Sequence, residues 1–343
     1  MMITNQLENK NILYLSARTF NLEKQIKSKL ESFGAKVYFY DERLKDNNLT
    51  KAVIRVKKDL YRHKILKYYQ RILQETKTIK IDYLFVVRGE VVPEFFLEKL
   101  REYHPDCIFI FYNWDSFKNT GNTADLLHLY DRKFTFDPED AKRYKINFRP
   151  LYYIDDYLNI NQEKEKKNDL LFLGTAHSDR YIISSKLKEL LENKGKKVFC
   201  YYFMYSKWVY YFKRYFDKTF QHFELSKLSF KSLSLKEILS LYEVSNVILD
   251  INHPNQKGLT MRTFEAIGAK RKLITTNKEI FKFGFYNSNN IYYLDRDNIK
   301  VDLDFFDTTY LQTESELYKK LSISGWIYNL FVDDENEYWN NCI

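Results

Sequence analysis

The stretch GLTMRTFEAIGAKRKLITTN, Gly258 to Asn277, carries the pattern that decides how the second half of this chain folds. A glycine follows the polar run His253-Pro254-Asn255-Gln256-Lys257 and opens a helix, and the apolar run at 272–277 reads as a buried strand. Upstream, 244–252 reads as a strand and 235–242 as a helix. Further back, 169–176 (DLLFLGTA) reads as a strand, 178–193 as a helix closed by Gly195, and 197–203 as a strand. Strands separated by helices of this length build right-handed crossovers and parallel sheets. The first half has the same alternation. A strand at 11–17 (NILYLSA) precedes a helix that Gly34 stops, then come a strand at 36–41 and a charged helix at 49–76. Strands follow at 83–87, 107–113, 133–137 and 148–153, with Asp137-Pro138-Glu139 reading as a helix start. The polar run Glu163-Lys164-Glu165-Lys166-Lys167 reads as part of a linker. The expected fold is therefore α/β, with two doubly wound domains facing across a cleft. Their expected bounds are 1–155 and 169–312, joined by a linker at 156–168, with 313–343 a helical segment returning toward the N-terminal domain.

Composition agrees with two domains, since 343 residues at ~150 per domain give about two. With 45% hydrophobic and 29% charged residues, disordered and collagen-like chains are excluded. Three well-separated cysteines make no disulfide framework. No apolar run approaches the ~18–20 residues that span a bilayer, and residues 1–10 are polar, so an intracellular, cytoplasmic protein is expected. The excess of 55 Lys and Arg over 46 Asp and Glu gives a net charge of +9, which attracts nucleic acid, anionic lipid or phosphorylated molecules. AT-rich codon usage yields the same lysine excess, so charge alone selects no partner. A phosphate loop, a Gly-x-Gly-x-x-Gly turn after the first strand, a Gly-x-Ser-x-Gly elbow and a Cys-x-x-Cys pair are all missing. The six histidines show no metal-ligand spacing, so no metal or other cofactor is expected.

Within 258–277, a helix start at Gly258, Leu259 and Thr260 offers backbone N–H groups to a phosphate. Arg262 and Glu265 share a helix face, where an arginine suits diphosphate oxygens and a carboxylate suits both ribose hydroxyls. An ordinary surface ion pair has the same spacing. Gly258, Arg262, Phe264, Glu265, Ala266 and the strand behind them resemble the donor-binding helix of GT-B glycosyltransferases, particularly the group-1-like enzymes of bacterial lipopolysaccharide and capsule synthesis. The order of elements resembles that family over nearly the whole chain. The resemblance implies two Rossmann-like domains and transfer of a sugar from a nucleotide-sugar donor to a surface glycan or a lipid-linked glycan acceptor. Glu265 would then resemble a ribose ligand. Gly174, Thr175 and Arg180 would resemble diphosphate contacts and His177 would touch the sugar, a merely exposed loop histidine being its plain alternative; Ser178 is placed to cap the next helix. Many retaining members carry an acid eight positions before the ribose glutamate, where this chain has Lys257, so the stereochemical outcome stays open.

Sugar transfer with inversion also needs a base for the acceptor hydroxyl. Asp115, after the fourth strand, is the first candidate for base or acceptor ligand, and a helix or turn cap is its plain alternative. Glu90 is the competing candidate. Trp114 and Arg18 are placed on the acceptor side. In 207–218 (KWVYYFKRYFDK), Trp208, Phe212 and Tyr215 share one helical face, while Lys207, Tyr211, Arg214 and Lys218 line another. This suits an anionic membrane surface, and equally a helix packed on its own sheet. Two rivals remain: a nucleotide-sugar epimerase of the same architecture and a basic nucleic-acid-binding protein. No recognisable nucleic-acid motif supports the second.

Overall fold

A computed structural model describes residues 7–19, 21–43, 58–119, 121–216, 220–221, 223–332 and 336–343. The chain forms two units, one made of residues up to Pro150 with Ile323–Asn341, the other of Leu151–Ser322.

The first unit is built on six parallel strands: β1 (Asn11–Ser16), β2 (Lys36–Asp41), β3 (Tyr83–Val87), β4 (Ile108–Asn113), β5 (Arg132–Thr135) and β6 (Asn147–Phe148). Their spatial order is β2-β1-β3-β4-β5-β6. Parallel sheets are covered on both faces, which is why LYL, LFVV and FIFY are continuous apolar runs. One face, bearing Leu13, Leu15, Leu84, Val86, Phe109 and Phe111, is covered by α2 (Lys58–Thr76) and α3 (Glu94–Tyr103). Helix α1 (Leu22–Ser32) precedes β2, and α4 (Pro138–Tyr144) starts on Asp137, whose side chain accepts from the amides of Glu139 and Asp140. The start of the long helix expected at 49 lies outside the described residues.

The second unit also has six parallel strands: β7 (Asn168–Thr175), β8 (Val198–Phe203), β9 (Leu228–Ser229), β10 (Ser245–Asp250), β11 (Lys272–Thr275) and β12 (Ile291–Tyr293). Their order, β12-β11-β10-β7-β8-β9, is the doubly wound arrangement of dinucleotide-binding folds, reversing between β7 and β10. Its helices in chain order are α5 (Arg180–Glu192), α6 (Lys207–Phe216), α7 (Leu235–Glu243), α8 (Met261–Gly268), α9 (Asp304–Asp307) and α10 (Ser315–Lys320). Residues 155–159, expected in part as linker, form a 3-10 turn belonging to this unit. Ser178 does not cap α5; it takes a left-handed φ of 48°, and Asp179 is the N-cap. Helix α8 begins at Met261 rather than at Gly258, because Thr260 takes the capping position and its hydroxyl accepts from the Arg262 amide.

After α10 the chain adds α11 (Ile323–Phe331) and α12 (Asn336–Asn340) to the first unit. Trp326 stands edge-on to Tyr112 at 4.8 Å and to Phe85 at 5.9 Å, and Phe331 lies 5.1 Å from Phe85. Arg132 donates to the Leu330 carbonyl at 3.1 Å. These rings cover the sheet face opposite α2 and α3. Truncating a buried tryptophan removes its transfer free energy and leaves a cavity, so Trp326→Ala should cost about 3–5 kcal/mol in chemical denaturation.

Candidate functional site

In the second unit, the carboxyl ends of β7 and β10 flank the point where strand order reverses, the place where such sheets bind ligands. The loop after β7 carries Gly174, Thr175, His177 and Arg180. The loop after β10 leads through Gly258 and Leu259 to Thr260. Arg180 ties the two together, its Nε donating to the Ile251 carbonyl at 2.8 Å and its Nη1 to the Thr175 carbonyl at 3.3 Å. Burial, together with Arg262 and Arg296 nearby, pushes this guanidinium down to about 10, so it stays charged at neutral pH. His177 shares a hydrogen bond with Ser178 Oγ at 3.0 Å and lies 5.9 Å, ring to ring, from His253. Burial, with Arg180, His253 and Lys213 adding to it, pushes His177 down to about 3, so its ring is neutral throughout the physiological range.

Asp250, which ends β10, is buried and accepts from Thr260 Oγ1 at 2.9 Å and Thr263 Oγ1 at 3.0 Å. Burial raises its proton affinity, while those hydroxyls and Arg180 oppose the rise. Asp250 thus fixes the first turn of α8 to the strand it follows. The loop ahead of that turn is pinned by Asn277, whose Nδ2 donates to the carbonyls of Lys257 and Gly258 at 3.0 and 3.3 Å. Gly258 is buried here and closes the loop two residues before the cap.

Arg262 and Glu265 do pair, at 2.6 Å, and the pair is part of a larger group. Arg262 Nη1 also donates to Tyr242 Oη at 3.0 Å, and the Tyr242 hydroxyl donates to Glu265 Oε2 at 3.1 Å. Arg262 Nη2 donates to the Leu173 carbonyl at the end of β7, 3.1 Å away. Burial alone would lower the Arg262 guanidinium, but Glu265 and the phenols of Tyr242 and Tyr157 outweigh it and hold it above its usual value. Both side chains of the pair are about four-fifths covered, so this is not the solvated surface pair that the same spacing also allows.

The second unit therefore gathers every residue expected at the donor site along one sheet edge. Asp250, Tyr242, Asn277 and Arg296 join them, though no motif announced them. Arg296 bonds Asp179 Oδ2 at 2.6 Å and Asn252 Oδ1 at 2.6 Å. The available signal for Asp250 was its position, an acid closing an apolar strand ten residues before the helix cap.

In the first unit, Glu90 and Asp115 converge on Arg88, whose Nη2 lies 3.3 Å from Glu90 Oε2 and 3.5 Å from Asp115 Oδ2. Arg43 pairs with Glu90 as well. Asp115 Oδ1 accepts from the Ser116 amide and from Asn119 Nδ2, and Ser116 Oγ accepts from the Lys118 amide, so holding this turn coexists with the ion pair. Arg18 is half-exposed beside Asp41 at 3.3 Å, and Trp114 is half-buried. Among the described residues, no group of three or more His, Cys, Asp or Glu side chains is placed to hold a metal ion.

No sequence-family model matches the chain, and no curated protein matches it. Solved structures do. A glycosyltransferase from Rickettsia africae is similar at 12% identity and a TM-score of 0.52, over 97% of this chain and 93% of that one. An α-glucosyltransferase solved with UDP and a 13-mer DNA is similar at 12% identity and 0.57, over 96% and 97%. Anabaena HepE, solved with UDP and glucose, is similar at 10% identity and 0.54, over 94% and 99%. With two six-stranded parallel sheets and their flanking helices, this chain has the GT-B glycosyltransferase fold.

Thr260→Ala removes both the cap of α8 and a hydroxyl bond to Asp250. The expected loss is about 1–2 kcal/mol, read as a lower midpoint in urea.

Proposed function

We propose that this protein is a glycosyltransferase that takes a sugar from a nucleoside diphosphate donor bound at the carboxyl edge of the second sheet. The observation that carries the reading is Glu265, held in place by Arg262 and Tyr242 beside the strand-order reversal. In this reading Glu265 accepts from the ribose hydroxyls, and Gly258, Leu259 and Thr260 with Gly174 and Thr175 face the diphosphate. Arg262, whose Nη atoms already bond Tyr242, Glu265 and Leu173, orients Glu265. Burial is the main reason that His177 stays neutral, with Arg180 and Lys213 adding to it, and those two cations supply positive charge near the loop. Two of the similar structures hold UDP, which makes a uridine donor the first to test.

Transfer breaks the bond from the anomeric carbon to the diphosphate oxygen, which leaves with the electron pair. The acceptor oxygen bonds that carbon and gives up its proton to a carboxylate. Asp115 or Glu90 of the first unit would hold the acceptor, with Trp114 and Arg18 on the same strand-end side. A surface polysaccharide or a lipid-linked glycan precursor is the proposed acceptor class.

An anionic membrane surface fits helix α6. Trp208, Tyr211, Phe212, Tyr215 and Phe216 follow the i, i+3, i+4, i+7, i+8 pattern and all face water, Trp208 being 86% and Tyr215 81% exposed. The stripe is not packed on the sheet beneath it. Tyr211 belongs to the aromatic stripe rather than to the basic face, and Arg214 bonds Tyr210 Oη at 2.8 Å. Lys218 lies outside the described residues. No helix among the described residues is long and apolar enough to cross a membrane. Docking on lipid would cover the exposed rings.

Calorimetry with UDP, GDP and ADP should find one that binds, and Glu265→Ala should weaken it at least tenfold with an unchanged far-ultraviolet spectrum. Two lost charge-assisted bonds exceed the ~1.4 kcal/mol of one decade. Binding of none of the three, or the same affinity in Glu265→Ala, would overturn the donor reading. Conversion of a nucleotide sugar to its epimer without acceptor would assign an epimerase instead. In co-sedimentation with phosphatidylglycerol-containing vesicles, replacing Trp208, Phe212 and Tyr215 by Ser should lower binding at least tenfold, since each buried ring contributes about 1.5–3 kcal/mol. Vesicle binding indifferent to these changes would remove the membrane role.

A further inference from the structure

At the carboxyl edge of the first sheet, register aligns three residues in one row. Asp41 pairs with Ser16, Ser16 with Val87, and Val87 with Tyr112; Glu42, Arg88 and Asn113 are the next residue in each case. Strand alternation puts them on the face covered by α2, and the Tyr69 hydroxyl of that helix donates to the Glu42 carbonyl at 3.1 Å. Each member of the row has a buried polar side-chain atom without a close hydrogen-bond partner: Arg88 Nε, Asn113 Nδ2 and both Glu42 carboxyl oxygens, which face the Glu90 amide without a well-formed bond to it. Glu42 is 1% exposed. Arg88 takes a φ of 76° and Gly89 one of 66°, a left-handed pair that an arginine rarely enters. Orphaned buried groups and strained backbone concentrate at working sites, and this row lies where the strand order reverses between β1 and β3.

We propose that Glu42 is a positioning residue that sets how Arg88 is divided between the buried end of this row and the two outer carboxylates, Glu90 and Asp115. With its proton on, Glu42 is neutral and Arg88 stays with Glu90 and Asp115, as seen. With the proton off, the buried carboxylate attracts the guanidinium more strongly than the solvated ones do, because it is less screened. The unpartnered Nε is the donor at hand. Arg88 drawn inward frees Asp115 or Glu90 to accept from an acceptor hydroxyl; this last step alone rests on the proposed transferase reading.

The groups that face Glu42 are Arg43, Arg88 and the Glu90 backbone N–H, which favour its ionised form, and the Glu90 carboxylate, which opposes it. The phenols of Tyr69 on α2 and of Tyr130 lie beside it, and Tyr14 of β1, on the other face of the sheet, also feels its charge. Burial dominates and pushes the Glu42 carboxyl up to about 8. A folded-state value above the unfolded one means that the native protein holds more protons between the two. The stabilising contribution is therefore present at low pH and lost as pH rises from about 4.5 through about 8.

The full-length protein labelled with 13C at glutamate carboxyls tests this directly. One resonance, absent from Glu42→Gln, should titrate near pH 8, and Arg88→Met should move its midpoint upward by removing a cation. Wild-type Tm should fall between pH 6 and 9 more steeply than that of Glu42→Gln. In UDP-glucose hydrolysis, the kcat limb near pH 8 should vanish in Glu42→Gln while UDP affinity is retained. If Glu42→Gln does not fold, Glu42→Met supplies the missing resonance, and the response to Arg88→Met still decides. A Glu42 resonance titrating in the ordinary carboxylate range, or a midpoint indifferent to Arg88→Met, would overturn the proposal. Absence of UDP binding and hydrolysis in the wild type would sink the donor reading and leave the carboxyl titration to judge Glu42 alone.

Discussion

The second unit depends on one guanidinium. Arg262 reaches from α8 to the backbone of β7 and to the Tyr242 hydroxyl of α7 while holding Glu265 on its own helix. Three elements far apart in sequence are tied at a single buried cation. A charge so placed is tolerable only when its donors are met, because an uncompensated buried ion costs several kcal/mol. That requirement fixes the rotamer of Glu265 as firmly as packing would, and it converts a surface-type i,i+3 spacing into a rigid feature of the strand-end edge. Asp250 does the same for the first turn of the helix through two threonine hydroxyls.

The two sheet edges are finished in opposite ways. Along the second, the titratable groups at the strand ends find partners in the chain itself, with Asp179 Oδ1 left as the buried oxygen without one. Along the first, Glu42, Arg88 and Asn113 leave polar atoms unmet, and Arg88 sits in a left-handed conformation. A preorganised edge suits an invariant ligand such as a nucleoside diphosphate. An edge with alternative pairings suits a partner whose hydroxyls complete it.

Much of the fold was legible because parallel strands covered on both faces leave uninterrupted apolar runs such as FIFY and VIL, separated by helices. The short strands β9 and β12 were not, since two or three residues carry no period. Gly258 marked the right loop, but the helix start was misjudged by three residues: Thr260, an ordinary N-cap type, decided it. At the carboxyl edge of the second sheet, Arg262 and Glu265 were visible as a spaced pair, whereas Tyr242 meets them, and Asp250 and Arg296 join the edge, only through the crossovers. Glu42 had no local signal at all. It looks like any acid after a strand, and its burial comes from α2, Tyr130 and the row beside it.

Helix α6 joins two features of different kinds. On one side, Lys213 adds, after burial, Arg180 and His253, to what keeps His177 neutral. On its outer side, five aromatic rings stand in water. A helix with only the first task would place polar residues outward, as solubility favours, and one with only the second could sit anywhere on the unit. Their combination on ten residues means that whatever covers the rings also covers the helix that carries Lys213.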